Sequence, residues 1–177
     1  MTLKQQKKKV LRLIEEISTV ENKLTDDPDI EAKLNDVINQ IMFELCRLKK
    51  ILAHEKREVE ADEVIDLKNL ENFFQLKLIR CKDAAGEDVN YELIDNLVIF
   101  NEAGTATIFY YEYPAPITDE TKDEEYIFEL APEVLEIMPY GVAADLLKSD
   151  VSTNYGKVYA ERYASSLVSS VIGAGYS

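Results

Sequence analysis

The stretch Thr25–Leu67, TDDPDIEAKLNDVINQIMFELCRLKKILAHEKREVEADEVIDL, decides the fold class, because one hydrophobic period ends inside it and another begins. Asp27 can cap the exposed amides of a helix, Pro28 supplies the fixed φ of a first helical position, and Asp29 complements the positive helix end. Ile30, Leu34, Val37, Ile38, Ile41, Leu45, Leu48 and Leu52 then share one helical face, which predicts a helix to about residue 53. Beyond His54 the spacing changes. EKREVEADEVIDL reads as a charged edge strand or arm followed by a short strand.

Upstream, Val10, Leu13, Ile14, Ile17, Val20 and Leu24 recur at steps of three and four, predicting a helix over about residues 3–23. TDDP then ends one helix and starts the next, and so short a link predicts an antiparallel pair. Downstream, FFQLKLIRCKD is a strand with apolar residues at Phe74, Leu76 and Leu78. DAAGED supplies a turn, YELI and NLVIF flank an Asp95-Asn96 reversal, and TATIFYYEYP follows NEAG. These runs predict a β-meander. In its last strand Thr107, Phe109, Tyr111 and Tyr113 face one way and Ala106, Ile108 and Tyr110 the other, so both faces need cover. That cover is a second layer of the sheet, the helices, or a neighbouring subunit.

PAPITDETKDEE, residues 114–125, reads as a loop, Tyr126 to Leu130 as a last strand, and Pro132 as the opening of a helix. Pro139 lacks a backbone donor and disfavours αR at Met138, so this helix is expected to kink or restart there. Gly141, Ala143 and Ala144 make a slim helix that another can approach closely. Ser152 or Thr153 can cap a final helix in which Tyr155, Tyr159, Tyr163, Leu167 and Val171 recur every four residues. Such a stripe drifts by about 40° per step, so the helix crosses its partner obliquely or ends near Leu167. The tyrosines read as core with wet hydroxyls or as a subunit interface. The fold class is therefore α+β: a helical bundle of two N-terminal and two C-terminal helices carrying an inserted small antiparallel β domain. The divisions are 1–54, a helical hairpin; 55–130, the β domain; 131–168, the helices completing the bundle; and 169–177, a flexible arm.

The 177 residues suit one large domain or a domain with an insertion, and 46% hydrophobic with 31% charged residues is globular composition. Net charge is −14, yet residues 1–12 hold Lys4, Lys7, Lys8, Lys9 and Arg12 without an acid, leaving −19 on the rest. An acidic surface opposes duplex wrapping, since affinity for DNA comes largely from Lys and Arg displacing counterions. The basic dozen reads as a solvated first helical turn, or as a contact for nucleic acid or a partner's acidic rim. The N-terminus fits neither a secretory signal nor a membrane span, so a cytosolic product with no membrane association is expected.

No catalytic set is visible. The six glycines form neither a GxxxxGK nor a GxGxxG array, and Cys46 and Cys81 lack CxxC spacing and read as core thiols. His54 reads as a cation at the negative end of a helix, and Asp119, Glu120, Asp123, Glu124 and Glu125 as a solvated charge run. The expectation is no catalytic residue, no cofactor and no metal.

LEIMPYGVAADLLKSDVSTNYGKVYAERY, with the upstream DIEAKLNDVINQIMFELCRL and the strand-rich segment between them, resembles the head-tail connector (adaptor) proteins of tailed bacteriophages and prophages of Gram-positive hosts. The signatures are architectural: Tyr140-Gly141 with Ala143-Ala144, then Tyr155, Tyr159, Arg162 and Tyr163. The resemblance implies a structural virion protein of the neck, made in the host cytoplasm. It would form a homo-oligomeric ring, commonly of about twelve subunits, by heterologous contacts. Its partners would be the portal protein above, a downstream neck or tail protein below, and DNA passing through the channel without sequence-specific binding. Candidate subunit or portal contacts are Tyr111, Tyr113, Tyr155, Tyr159, Tyr163, Val168, Val171, Ile172 and Tyr176. Family members tend to end in a longer, charged helix, whereas this chain ends SSLVSSVIGAGYS, an arm that orders on a partner or a frayed end. Another neck or tail-completion ring, or a cytosolic regulatory or chaperone-like adaptor, fits the same composition.

Overall fold

The computed structural model describes residues 1–20, 23–148 and 154–173, with side chains to Ser169. It is an α+β fold with four helices and two small antiparallel sheets, divided into two compact units. One unit joins Met1–Lys49 to Pro114–Ser177; the other is the continuous segment Lys50–Tyr113. Residues 114–130, grouped with the strands on sequence, thus belong to the unit that holds the helices.

In the helical unit, α1 (Leu3–Leu13) opens on a capping box in which the Thr2 hydroxyl and the Gln5 side chain each satisfy the other's backbone amide. It stops ten residues short of the expected end. Glu15 adopts φ 61°, and the Glu16 amide returns to the Leu11 carbonyl, a Schellman closure with glutamate where glycine is usual. Ile17, Val20 and Leu24 therefore lie beyond the helix, and Ile17 and Val20 are exposed. The buried face is instead Leu3, Gln6, Lys7, Val10 and Leu11. α2 (Pro28–Leu48) starts as expected, with the Asp27 carboxylate accepting from the amides of Asp29 and Ile30. It ends before Lys49, because Ile51 already pairs in a sheet.

α3 (Pro132–Leu146) packs against α1, α2 and α4 (Tyr155–Gly173). The link between α1 and α2 is longer than the expected TDDP, running from Ile14 to Asp27 once α1 stops. α3 continues through Pro139 without a restart. Proline there deprives the Leu135 carbonyl of its i+4 donor, and fully buried Gln6 supplies the replacement, Nε2 donating at 3.0 Å. The expected last strand is reduced to one bridge, Thr2 to Ile127, because its only partner turns into α1 at Leu3. Asn39 holds the 114–125 loop at both polar atoms of Ile117, at 2.7 and 2.8 Å. α4 runs through Leu167 to Gly173, so residues 169–173, expected in a flexible arm, are helical. Ser152, Thr153 and Tyr176 lie outside the described residues, as do the side chains of Val171 and Ile172.

The β unit is not a meander. β1 (Ile51–Val59), β6 (Gly104–Glu112) and β3 (Phe73–Lys82) form one sheet with β6 central; β2 (Val64–Asp66), β5 (Leu97–Phe100) and β4 (Tyr91–Ile94) form the other. His54 therefore sits in β1 opposite Phe109 and caps no helix. Both sheets contribute to one core, with Val59, Ile65, Ile79, Val98, Phe100, Ala106 and Ile108 among its members. At its rim, a side chain on Gly104 would lie 2.5 Å from the Lys82 carbonyl oxygen, so β6 can begin this close to β3 only as glycine.

Candidate functional site

Tyr140, Gly141, Tyr159, Arg162 and Tyr163, singled out in the sequence, gather where α3 meets α4. Gly141 lets them meet: a Cβ there would lie 2.8 Å from the Tyr163 ring and 3.1 Å from Ile41. One turn along, the Arg162 guanidinium stands 4.4 Å over the Tyr140 ring, and the rings of Tyr140 and Tyr159 stack at 6.4 Å. The Tyr159 hydroxyl donates to the Leu13 carbonyl, an acceptor that the end of α1 leaves without a helical donor. Burial raises the Tyr159 pKa, with Glu15 adding to the effect. The Tyr163 hydroxyl is buried without a partner in good hydrogen-bond geometry, and burial, reinforced by the nearby Glu44 carboxylate, pushes its pKa up strongly.

The drift of the tyrosine stripe is visible in exposure. Tyr155 is 62% exposed, Tyr159, Tyr163 and Leu167 are half-buried, and Val168 is 58% exposed. Tyr159 and Tyr163 thus join α4 to the rest of its own unit, and Tyr155, Val158 and Val168 remain on its solvent side.

Three of the four lysines of α1 are paired within their own unit. Lys4, Lys7 and Lys9 form ion pairs with Glu124, Asp123 and Glu136, at 2.6 to 2.8 Å, all within the helical unit. Asp123 is therefore largely covered, whereas Glu124 is paired but solvated. The Lys4 ammonium, through its hydrogen bond and charge, lowers the Glu124 pKa. These partners are more than 100 residues apart, and nothing in the local pattern of either segment pairs them.

In the β unit, Tyr111 lies on the central strand under two ammonium groups, Lys50 at 4.9 Å and Lys77 at 5.8 Å from its ring. Arg80 stands 5.8 Å over Phe109, whose ring is also 5.8 Å from that of His54. Tyr113, at the end of this unit, packs on Phe74 with centroids 4.6 Å apart, and its amide donates to the Asn72 carbonyl. Alternation alone revealed the rings of Phe109 and Tyr111. The cations beside them come from Lys50, just before β1, and from β3, and only the pairing register brings them together.

Among the described residues no group of three or more His, Cys, Asp or Glu is placed to hold a metal ion, and no helix is long and apolar enough to cross a membrane. Cys46 and Cys81 are both buried, one in each unit. Compared with protein-family models and with curated proteins, the chain matches none.

Proposed function

We propose that this chain is a structural virion protein, a head-tail connector adaptor that assembles as a ring below the portal, extends the DNA channel and docks the next neck or tail component. In this reading the four helices form a bundle that carries the β segment between Lys49 and Pro114. One observation carries it: five of the residues of the resemblance pack across α3 and α4 in one helical unit, Gly141 against Tyr163 and Tyr140 against Tyr159 and Arg162. Their common role is to hold elements together, the role an adaptor requires. A closed ring also needs a patch on each subunit that meets a different patch on its neighbour. The solvent side of α4, with Tyr155, Val158 and Val168 exposed, supports one such patch.

The test is a phage lacking this gene. DNA-filled or leaking heads without tails are the expected product, with the protein present in the neck of wild-type particles by cryo-electron microscopy. Normal tailed particles would overturn the proposal. Protein abundant in infected lysate and absent from purified virions would favour the cytosolic adaptor instead.

A further inference from the structure

We propose that the outer face of the β1-β6-β3 sheet binds single-stranded nucleic acid. The inference does not depend on a place in the virion. It starts from an uneven distribution of charge: Lys50–Tyr113 holds seven Lys and Arg against fourteen Asp and Glu, a net −7. Yet five of the seven cations stand on this one face. Register puts Lys56 and Arg80 on either side of Thr107 and places Lys82 beside Thr105, while Lys50 and Lys77 reach over Tyr111.

The flanking residues Leu52, His54, Lys56, Lys77 and Arg80 are exposed, and Phe109 and Tyr111 between them are half-buried, whereas the opposite face is core. Lys56, Lys77 and Arg80 form no ion pair with any described residue; Lys50 bonds to the neutral Gln75, and only Lys82 has a carboxylate partner, Asp88. Two acids stand at the Thr105 end of the face: Glu58, which accepts from the Thr105 hydroxyl, and Asp88, which bridges and pairs with Lys82.

Aromatic rings at the centre of a sheet face, edged by flexible cations, suit a strand whose bases stack while its phosphates meet ammonium groups. Arg80 adds a guanidinium plane on which a base can also stack. Alternate residues along a strand are about 6.7 Å apart, which spreads the cations along the sheet instead of concentrating them at one point. The acidic remainder of the chain does not cancel the patch at ordinary ionic strength, because exposed charges are screened beyond about 8–10 Å. An acidic protein partner would also meet positive charge here, but lysine is depleted from protein interfaces and supplies four of these five cations. A duplex hides its base faces and gives the rings nothing to stack on.

The experiment measures fluorescence anisotropy of a labelled oligothymidylate of about 20 nucleotides, longer than a site of about 4–16, titrated with the full chain over a range of salt. The expected result is saturable binding whose log–log salt slope is about −3, from about 0.7 per phosphate over roughly four contacts. The double variant K77E/R80E, at two exposed positions, should abolish binding with an unchanged circular dichroism spectrum and melting temperature. Lys68→Glu, in the same unit but off the face, should retain it. Tyr111→Leu should weaken binding about tenfold, the effect of losing one stacked base. The proposal is overturned if the wild-type chain does not bind at low salt or if K77E/R80E binds as wild type. It is also overturned if duplex DNA or a polyglutamate of matched charge competes as well as the single strand, the last result indicating an acidic protein partner.

Discussion

The two units solve the problem of polar groups in opposite ways. In the helical unit polar side chains work inside: Gln6 fills the gap at Pro139, Asn39 clamps Ile117, Tyr159 caps α1, and Lys7 pairs with Asp123 where both are largely covered. In the β unit the interior between the sheets is almost wholly apolar, and polar chemistry is displaced to the outer sheet face. The helical unit is therefore specified by a few directional contacts between distant segments. The β unit is specified by volume and alternation. Substitutions should separate these two kinds of dependence.

The largest effect is expected at Phe100, fully buried in the β core, where Phe100→Ala should cost about 3–5 kcal/mol by leaving a cavity among residues of both sheets. Urea unfolding followed by circular dichroism measures it, and a loss below about 1 kcal/mol would show that the core collapses around the deletion. In the helical unit Gly141→Ala should cost about 1–3 kcal/mol, because the added methyl meets the Tyr163 ring and Ile41 and must push α3 from α4 or α2. A Gly141→Ala/Tyr163→Leu double variant should recover part of that loss. If it does not, the tight contact is not the source of the cost.

Gln6→Leu should lose about 1–3 kcal/mol by leaving the Leu135 carbonyl buried without a donor. Adding Pro139→Ala returns a backbone N–H to that carbonyl, so the two changes together should cost less than the sum of each alone. Strict additivity in the double-mutant cycle would break the proposed link.

Alkaline pH should act more weakly. The Tyr126 hydroxyl donates to the Ala115 carbonyl, and burial pushes its pKa up to about 12 from 10.0. The folded state thus holds the proton longer than the unfolded chain. Its contribution is full below about pH 10 and falls between about pH 10 and pH 12, by about 1–2 kcal/mol after discounting for solvent exposure. Urea midpoints across that interval should decline less steeply for Tyr126→Phe than for the wild type. The smallest effect belongs to Lys4 and Glu124: both are solvated, and Lys4→Ala should leave the urea midpoint unchanged within error while Lys7→Ala lowers it.

Local signals were readable where a single segment contains both the cause and its consequence. The Asp27 cap, the alternation of β6 and the Asp95-Asn96 reversal were all legible, and in each case a few neighbouring residues decide the outcome, whereas the alternation read for Phe74, Leu76 and Leu78 is broken in β3 by register shifts that put Leu76 opposite Tyr110 and Leu78 opposite Phe109. The end of α1 was not legible, because the apolar spacing continues through Ile17, Val20 and Leu24 while the closure depends on a glutamate accepting φ 61°. Pro139 was read as a break because its missing donor is local. The replacement donor comes from Gln6, 129 residues away. Likewise, EKREV was legible as a charged edge strand or arm and is the second half of the edge strand β1, but the pairing of Ile51 to His54 with β6 was not legible, because their apolar spacing continues that of α2.

Net charge, the existence of a change of hydrophobic period, placed after His54, the absence of nucleotide-binding glycine arrays and the slim helix surface at Gly141 were determined by the sequence alone, since composition and short-range spacing suffice for them. The tertiary structure decided which charges meet. It neutralised much of the basic N-terminus against acids more than 100 residues away and brought five cations of an acidic segment onto one aromatic sheet face. Coulombic interaction depends on distance in space, and only the folded pairing register sets that distance.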